Sequence, residues 1–343
     1  MGWTLSSYPE AKGDDAIEIA HSDHSRDTHL LPGGYNLRPA AAEELDIVLR
    51  LRVAQNQADY QMDGLTAGDL YASWQAPTFH IGVDHWLVRA PDGQSVAYGE
   101  VRGDGSDKDF EVIFAIAPAV WQDAEFGLSV TLGLLERIDR RAADIAGERP
   151  YHISCRVSTR NLEAVRLVET YGFTCRLTFI IMEADLRQPP AAPNLPTGVT
   201  IRDFIPGQDD QAVYRADEES GEDKGYHQPL SYEDWCKRMG RHTPLFDPGL
   251  WFLAFADGEL AGAALNFYDD GRRTAWVDHL GVRRAFRKRG IGLALLSHAI
   301  NVFHRRGYPQ VRLSVDSHSL THAPRLYEKA GFRTVLGYHI FGK

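Results

Sequence analysis

The chain has 343 residues, a length that is sufficient for about two domains. Of these residues 43% are hydrophobic and 24% are charged, which is typical of a globular protein. Its formal net charge of −10 argues against a general nucleic-acid-binding protein, because such proteins present excess positive charge to phosphate. The sequence contains no run of about 18 apolar residues, so no membrane partner is expected. The cysteines Cys155, Cys175 and Cys236 form no paired motif and are interpreted as reduced thiols of a cytoplasmic protein.

Residues 1–34 show no clear periodicity and lack the apolar core of a signal peptide, so a partly ordered N-terminal extension is expected there. Further along the chain, residues 187–196 contain four prolines in ten positions. Such a segment builds neither a helix nor a central strand, which predicts a linker at 188–197. The chain is therefore expected to contain two domains, at 35–187 and 198–343.

The two predicted domains repeat one pattern. Each opens with a short strand, continues through a tryptophan-containing strand to an Asp-Gly turn that predicts a hairpin, and closes with a helix ending in Gly-Phe. The matched segments are Tyr35–Pro39 with Val199–Asp203, Trp86–Gly93 with Trp251–Gly258, and Asn161–Phe173 with Leu320–Phe332. The repetition predicts two domains of the same fold.

The second domain carries a basic, glycine-containing turn, Arg287-Lys-Arg-Gly-Ile-Gly292, between a predicted strand at Trp276–Val282 and a predicted helix. Backbone N–H groups at a helix N-terminus point outward unpaired, and the helix dipole favours an anion there. Gly290 and Gly292 have no side chain, so a phosphate can approach the amides closely. The turn therefore predicts a diphosphate-binding site.

The first domain lacks these chemical features. Its corresponding segment, Trp121–Gly127, carries Asp123 and Glu125, which would repel a diphosphate. Val168 stands where the second domain has Tyr327. The first domain is therefore expected to keep the hydrophobic skeleton of the fold and to be non-catalytic.

The spacing Arg287-x-x-Gly290-x-Gly292, followed by Ala323-Pro-Arg-Leu-Tyr-Glu-Lys-Ala-Gly-Phe332, resembles the acyl-CoA signature and the closing helix of the GNAT acyltransferase superfamily. The resemblance implies an α/β fold with two tandem GNAT-like domains, each an α+β mixed β-sheet that is twisted, splayed and flanked by helices. The tandem layout with a degenerate first half is similar in architecture to the mycothiol synthases. That likeness concerns architecture, so it does not identify the substrate.

The resemblance also implies that acetyl-CoA is the co-substrate and that no metal takes part. In this family the pantetheine arm pairs with a strand inside the splayed sheet, where Leu280 and Val282 would offer their backbone groups. The diphosphate would be held at the beginning of the following helix. The residues expected there are Arg287, Lys288, Arg289, Gly290, Ile291, Gly292 and Leu293.

The resemblance gives Tyr327 the role of proton donor to the departing thiolate, and the alternative is a helix tyrosine packed with its hydroxyl at the rim. The general base is expected on the strand before the basic turn, at Asp278 or His279. Neighbouring strand residues face opposite ways, so one of the two would face the substrate. Both remain open to a structural interpretation, and Asp316 and His318 are weaker candidates.

Glu218 and Glu219 fall where this family places the helix and loop that cover the acceptor, and they would attract a cationic amine. The alternative is a solvated acidic face. A nearby aromatic group would either line a pocket or form the core of a helix pair. Its members are Tyr226, Tyr232, Trp235 and Phe246.

These residues predict an acetyl-CoA-dependent N-acetyltransferase that acts on a primary amine of a small molecule by direct attack in a ternary complex. One alternative is a non-catalytic acyl-CoA-binding or regulatory protein, which would keep the diphosphate site and lack a productive base. Another is a protein-lysine acetyltransferase. The expected partner is a small-molecule amine, with no nucleic acid and no membrane, and the chain is expected to be a monomer or a homodimer.

Overall fold

The computed structural model describes residues 31, 33–60, 65–103, 105–106, 108–122, 124–191, 193–224, 226–243, 246–271, 273–319 and 323–343. Most of the predicted N-terminal extension, and Asp123 of the degenerate turn, lie outside the described residues. The chain forms two compact units, and we name them by their order. Unit 1 comprises Met1–Thr178 with Tyr338–Lys343, and unit 2 comprises Phe179–Gly337.

Unit 1 is a mixed sheet with helices, and its strand order is β1-β2-β3-β4-β5-β12. β4 and β5 are parallel and the other neighbours are antiparallel. The strands are β1 (Asn36–Pro39), β2 (His85–Arg89), β3 (Ser95–Gly103), β4 (Asp109–Ile116), β5 (His152–Ser158) and the end of β12 (Arg333–Gly342). The helices are α1 (Leu45–Tyr60), α2 (Ala67–Trp74), α3 (Ala124–Ala146) and α4 (Leu162–Thr170).

Unit 2 has the corresponding arrangement, with strand order β6-β11-β10-β9-β8-β7. β10 and β11 are parallel, and the other neighbours are antiparallel. The strands are β6 (Thr174–Asp185, from Phe179 onward), β7 (Val199–Asp203), β8 (Trp251–Ala256), β9 (Glu259–Asp269), β10 (Thr274–Val282) and β11 (Gln310–Asp316). The helices are α5 (Asp210–Gly221), α6 (Tyr232–Arg238), α7 (Ile291–Arg305) and α8 (Ala323–Lys329).

The two units differ from the predicted domains 35–187 and 198–343 in their last strands. In unit 1, β5 pairs with β12, from Tyr338 opposite Ser158 to Gly342 opposite Ser154. In unit 2, β11 pairs with the Phe179–Asp185 part of β6. Strand partners are chosen by long-range pairing, which sequence periodicity does not encode.

The sheet of unit 2 buries one face under α7 and the other under α5 and α6. Leu295 and Phe303 of α7 are fully buried against strand residues such as Phe252. On the opposite face, Val213 of α5 and Trp235 of α6 pack on β8 and β9. Each large apolar side chain buried in this way contributes about 1.5–3 kcal/mol. The strand β10 therefore lies in a sheet that is covered by helices on both faces.

Both predicted hairpins form, but the two tryptophans used to match them lie on different faces. Trp86 is buried in the cluster that contains Leu134 of α3. Trp251 is buried with Trp235 of α6. The match of Trp86 with Trp251 is thus wrong by one residue, because a slip of one position moves a strand side chain to the other face. Within the residues that the structure describes, no helix is long and apolar enough to cross a membrane.

Candidate active site

The sheet of unit 2 opens between its two parallel strands. β10 and β11 pair only from Ala275 opposite Val311 to Val277 opposite Leu313. β10 continues to Val282, and β11 continues to Asp316, without further pairing between them. The edge of β10 at residues 278–282 that faces β11 is therefore open to a ligand that pairs like a strand.

A β-bulge lies at the start of this opening. Val277 pairs with Asn266 of β9, and the next paired residue is His279, which lies opposite Leu265. Asp278 is therefore an extra residue on β10, and a bulge interrupts the strict alternation of side chains. The strict alternation from which the sequence predicted opposite orientations for Asp278 and His279 therefore does not hold at this point of β10.

The carboxyl group of Asp278 is half-buried. Burial raises its pKa above the ordinary aspartate value, and the positive charges of His279 and Arg238 only partly oppose this effect. No other described residue forms a hydrogen bond or an ion pair with its side chain. A desolvated carboxylate without a protein partner is suited to accept a proton from a bound ligand.

The neighbouring His279 is held by a buried carboxylate. Its Nδ1 atom lies 2.9 Å from Oδ2 of Asp217, and the indole Nε1 of Trp235 donates to the same carboxylate at 2.9 Å. Burial alone would raise the pKa of Asp217. The charge and hydrogen bond of His279, with the Trp235 bond, outweigh burial and lower this pKa to about 2. Asp217 therefore stays ionised and fixes the orientation of the imidazole.

Asp217 is the site residue that the sequence interpretation missed. It lies four positions after Val213 of α5, which is buried in the core, so the two residues share the inward face of this helix. A charged residue on the buried face of an amphipathic helix was the available signal.

The predicted acceptor carboxylates are used inside the protein. Glu218 accepts a hydrogen bond from the Leu230 amide at 3.1 Å and lies 3.4 Å from His227 Nε2. Glu219 accepts from Arg283 Nε at 2.7 Å and from the Arg284 amide at 3.1 Å. These contacts fix the loop after α5 and join α5 to the segment that precedes the basic turn.

The basic turn leads into α7 as predicted. Gly290 precedes the helix with φ +81°, a left-handed conformation that glycine adopts without strain, and no side chain caps the helix. The first intrahelical hydrogen bond runs from Ala294 N to Gly290 O at 3.0 Å. The amides of Ile291, Gly292 and Leu293 precede it and are those that a helix N-terminus offers to an anion.

The three basic side chains of the turn have different surroundings. Arg287 donates through Nε to the Val282 carbonyl at 3.0 Å, and its guanidinium pairs with Asp223 in the loop after α5. Arg289 lies 3.2 Å from the exposed Asp257. Lys288 has φ +62°, which is rare for a residue with a side chain and often marks a functional site. Arg287 thus links the basic turn to the end of β10 and to the loop that follows α5.

Tyr327 lies on α8, in the core cluster of unit 2. Its side chain is 9% exposed, and burial raises its pKa to about 12. In the described part of the chain no group hydrogen-bonds its hydroxyl. The preceding residue, Leu326, lies beside Gly292, where a Cβ atom would be 3.4 Å from Leu326 Cδ1. α8 therefore packs against the beginning of α7.

The remaining predicted residues have these positions. Leu280 and Val282 pair with Ala264 and Gly262 of β9, which leaves their other edge toward the opening. Trp235 is 1% exposed and belongs to a hydrophobic cluster, so the aromatic group forms a core at this residue. Asp316 accepts from the His318 amide at 2.9 Å within the loop after β11.

Unit 1 has a corresponding opening that differs in chemistry. β4 and β5 stop pairing after Val112 opposite Cys155, although both strands continue. β4 has no bulge, and Ile113 lies where unit 2 has His279. The side-chain oxygen of Gln55 accepts a hydrogen bond from the Ile116 amide at 2.7 Å. A side chain of α1 thus pairs with the backbone of β4 beyond the point where β4 and β5 separate.

Comparisons with known proteins agree with this geometry. The family model described as Acetyltransferase (GNAT) family matches residues 211–332. A mycothiol acetyltransferase of Kineococcus radiotolerans is 30% identical over 310 residues, covering 88% of this chain and 92% of that protein. One of Streptomyces scabiei is 35% identical over 145 residues, which cover 42% of this chain and 46% of that protein, about half of its length.

Solved structures show the same likeness. The crystal structure of a GCN5-related N-acetyltransferase from Sphaerobacter thermophilus has a TM-score of 0.77 and 30% identity, and the match covers 91% of this chain and 96% of that one. A tandem GNAT protein from the clavulanic acid biosynthesis pathway has a TM-score of 0.65 over 90% of this chain and 98% of that chain. At 14% identity, that match shows the fold alone. The chain belongs to the GNAT family of acetyltransferases.

Proposed function

We propose that this protein is an N-acetyltransferase that transfers the acetyl group of acetyl-CoA to a primary amine of a small molecule, by direct attack in a ternary complex. The observation that carries the proposal is the bulge in β10. It adds Asp278, a desolvated carboxylate without a partner among the described residues, where β10 separates from β11. The name of the mycothiol acetyltransferase relatives supports a small-molecule acceptor.

The residues around the opening fit acetyl-CoA as the co-substrate. The edge of β10 at residues 278–282 would pair with the pantetheine arm, and the amides at the beginning of α7 would bind the diphosphate. Gly290 and Gly292 have no Cβ atom, so phosphate oxygens can approach the amides at these two positions closely. When bound there, acetyl-CoA would supply its acetyl group as a thioester.

Asp278 would act as the general base. A primary ammonium has a pKa of about 10 and must lose a proton before it can attack a carbonyl carbon. Because burial raises the pKa of Asp278 toward that of its proton donor, the carboxylate is a stronger base than an exposed aspartate. His279, held by Asp217, would stand beside it as an orienting group or as a relay through water.

Tyr327 would supply the proton to the departing sulfur. Its pKa of about 12 keeps the phenol protonated throughout the neutral range, so it can donate a hydrogen bond to a developing thiolate. A protein that only binds acyl-CoA has no need for a buried phenol or for a desolvated carboxylate. These two groups support the catalytic interpretation over the binding-only alternative.

We propose further that unit 2 carries the acetyl-CoA site and that unit 1 is non-catalytic. In unit 1 the bulge is absent between β3 and β4, and Gln55 occupies the backbone position at Ile116. Val168 of α4, which the repeat matches with Tyr327, is buried in the core. Among the described residues of unit 1, neither a base nor a proton donor corresponds to Asp278 and Tyr327 of unit 2.

The test is release of free thiol from acetyl-CoA in the presence of a panel of amines, amino acids, amino sugars and a lysine peptide. Acceptor-dependent release that is lost in Asp278→Asn and Tyr327→Phe, with acetyl-CoA affinity retained, would support the proposal. Asp247→Asn serves as the carboxylate control and should keep its activity, because Asp247 pairs with Arg306 at the C-terminal end of α7, away from the opening. Tight acetyl-CoA binding with no acetylation of any acceptor would favour the binding-only alternative.

A further inference from the structure

His279 carries a hydrogen-bond acceptor that the described part of the protein does not use. Its Nδ1 lies 3.0 Å and 2.9 Å from the two carboxylate oxygens of Asp217, so Nδ1 carries the proton of the neutral imidazole and Nε2 keeps a lone pair. Among the described residues no group hydrogen-bonds Nε2. The side chain is 19% exposed, and Nε2 is not one of the buried polar atoms that lack a partner, so this atom belongs to the exposed part.

This accessible atom lies at the opening of the sheet. His279 is two residues beyond Val277, the last residue of β10 that pairs with β11. β9 covers one edge of His279, where Leu265 is its partner, and α5 covers the face of the strand through Asp217. α5 is still in contact with β10 two residues on, since a Cβ atom at Gly281 would collide with the helix. The side of His279 that neither β9 nor α5 covers is the side from which β11 has separated.

Asp278 places a second polar group without a partner at the same opening. No described residue forms a hydrogen bond or an ion pair with its carboxylate, and its oxygens are not among the buried atoms that lack a partner. A carboxylate favours the cationic group of a ligand because of its charge, which leaves the neutral imidazole of His279 for an uncharged donor. Consecutive Cα atoms are about 3.8 Å apart, so one small ligand can reach both groups.

We infer that the acceptor carries an uncharged hydrogen-bond donor, a hydroxyl or an amide N–H, close to its primary amine, and that this donor bonds to Nε2 of His279 while Asp278 receives the proton of the amine. The inference rests on the proposed acetyl transfer and specifies the class of its acceptor. Asp217 is a positioning residue in this arrangement, because it holds Nδ1 and thereby aims Nε2. The second hydrogen bond would orient the amine for attack.

The experiment compares acceptors that differ in the donor alone. 2-Aminoethanol is compared with 2-methoxyethylamine, and glycinamide with 2-amino-N,N-dimethylacetamide. Methylation removes the donor and leaves the basicity of the amine almost unchanged, because the electron-withdrawing oxygen or carbonyl stays. For the wild type, kcat/KM should be about three- to tenfold higher for the donor-bearing member of one pair, as one uncharged hydrogen bond predicts. The pair that shows the preference distinguishes a hydroxyl from an amide N–H.

Substitution of His279 separates hydrogen bonding from exclusion of the added methyl groups. His279→Phe keeps a ring and removes the acceptor atom, so the ratio of kcat/KM within the preferred pair should fall to about one. A ratio that persists in His279→Phe would mean that the shape of the site rejects the methyl groups, and it would contradict the inference. His304→Phe is the matched control and should keep the ratio, because His304 lies in the last turn of α7, away from the opening.

A spectroscopic measurement keeps the inference separate from catalysis. In CoA-loaded protein with isotope-labelled histidine nitrogens, the His279 signals are identified by their loss in His279→Phe and should show a protonated Nδ1 and an unprotonated Nε2. The donor-bearing amine should shift the Nε2 signal, and its methylated partner should shift it much less. This result would stand even if no acetyl group were transferred, and the proposed function alone would then fail. A protonated Nε2 in the CoA-loaded protein, or no difference between the members of both pairs, would overturn the inference.

Discussion

Nδ1 of His279 lies 2.9 Å from a carboxylate oxygen of Asp217, and this contact joins the bulged end of β10 to α5. Trp235 adds α6 to the same carboxylate through its indole N–H. Because a carboxylate accepts, Nδ1 carries the proton in the neutral imidazole, and Nε2 keeps a lone pair on the side away from Asp217. The contact orients His279 and leaves Asp278 as the neighbouring carboxylate without a described partner.

The first prediction concerns the base. Asp278→Asn should lower kcat by about 10²–10⁴, because it removes general base catalysis, while acetyl-CoA affinity stays unchanged. In the wild type, kcat/KM should rise with pH through the raised pKa of Asp278, since only the ionised form accepts a proton. His279→Gln should keep this limb of the profile, and Asp278→Asn should lack it. A larger loss in His279→Gln would make the imidazole the base.

The second prediction concerns stability. The lowered pKa of Asp217, about 2 against an ordinary value of 3.8, corresponds to about 2 kcal/mol of folding free energy above pH 4. A carboxyl group whose pKa is lower in the folded state than in the unfolded state stabilises the folded state at every pH above its unfolded-state pKa. This contribution is lost as the pH falls from about 4 to about 2. Asp217→Asn should therefore be destabilised at pH 7 by roughly this amount in urea unfolding.

The pH dependence of that difference tests its electrostatic origin. The gap in unfolding free energy between wild type and Asp217→Asn should shrink as pH falls below 4. Glu233→Gln removes a carboxylate that is 78% exposed and should change stability little. A gap that stays constant down to pH 2 would mean that Asp217 acts through packing.

The third prediction uses the beginning of α7. In Gly292→Asp the added carboxylate lies in the first turn, where the helix dipole favours negative charge, so the melting temperature should stay equal or rise slightly. The same charge repels a diphosphate, and acetyl-CoA affinity should fall at least about tenfold in calorimetry. Gly292→Asn is the uncharged control of equal size and should lose less. Equal losses would indicate a steric cause.

The fourth prediction concerns the loop after α5. Asp223 pairs with Arg284 at 2.6 Å and with Arg287, and its negative charge lies beside the proposed diphosphate site. Asp223→Asn should tighten acetyl-CoA binding about three- to tenfold, because it removes a competing anion. Asp247→Asn is the control, since Asp247 is 42% exposed and pairs with Arg306 at the C-terminal end of α7, away from the proposed diphosphate site. Weaker binding in Asp223→Asn would mean that Asp223 positions Arg287 for the diphosphate.

The sequence predicted features whose physics is local. The glycine-containing turn at 287–292 precedes a helix because apolar spacing, missing side chains and positive charge all lie within about 20 residues. The hairpins at Gly93 and Gly258 follow from Asp-Gly turns, and both glycines have the positive φ that such turns require. The two-domain repeat was visible for the same reason, because each segment carries its own periodicity.

Pairing between distant segments decided the rest. Asp278 projects from a bulge because β9 offers consecutive partners Asn266 and Leu265 to Val277 and His279, and no property of β10 alone encodes that register. Asp217, rather than Glu218 or Glu219, contacts the imidazole of His279 because the face of α5 that packs on β10 carries Asp217. The amphipathic pattern of α5 indicates this face, but the packing of the helix on the sheet decides it. The sequence by itself determined the basic, glycine-containing turn at the beginning of α7 and predicted a diphosphate site there, because these features are local. Only the tertiary structure decided which side chains meet at the opening of the sheet beside it, because strand register and helix packing join distant segments.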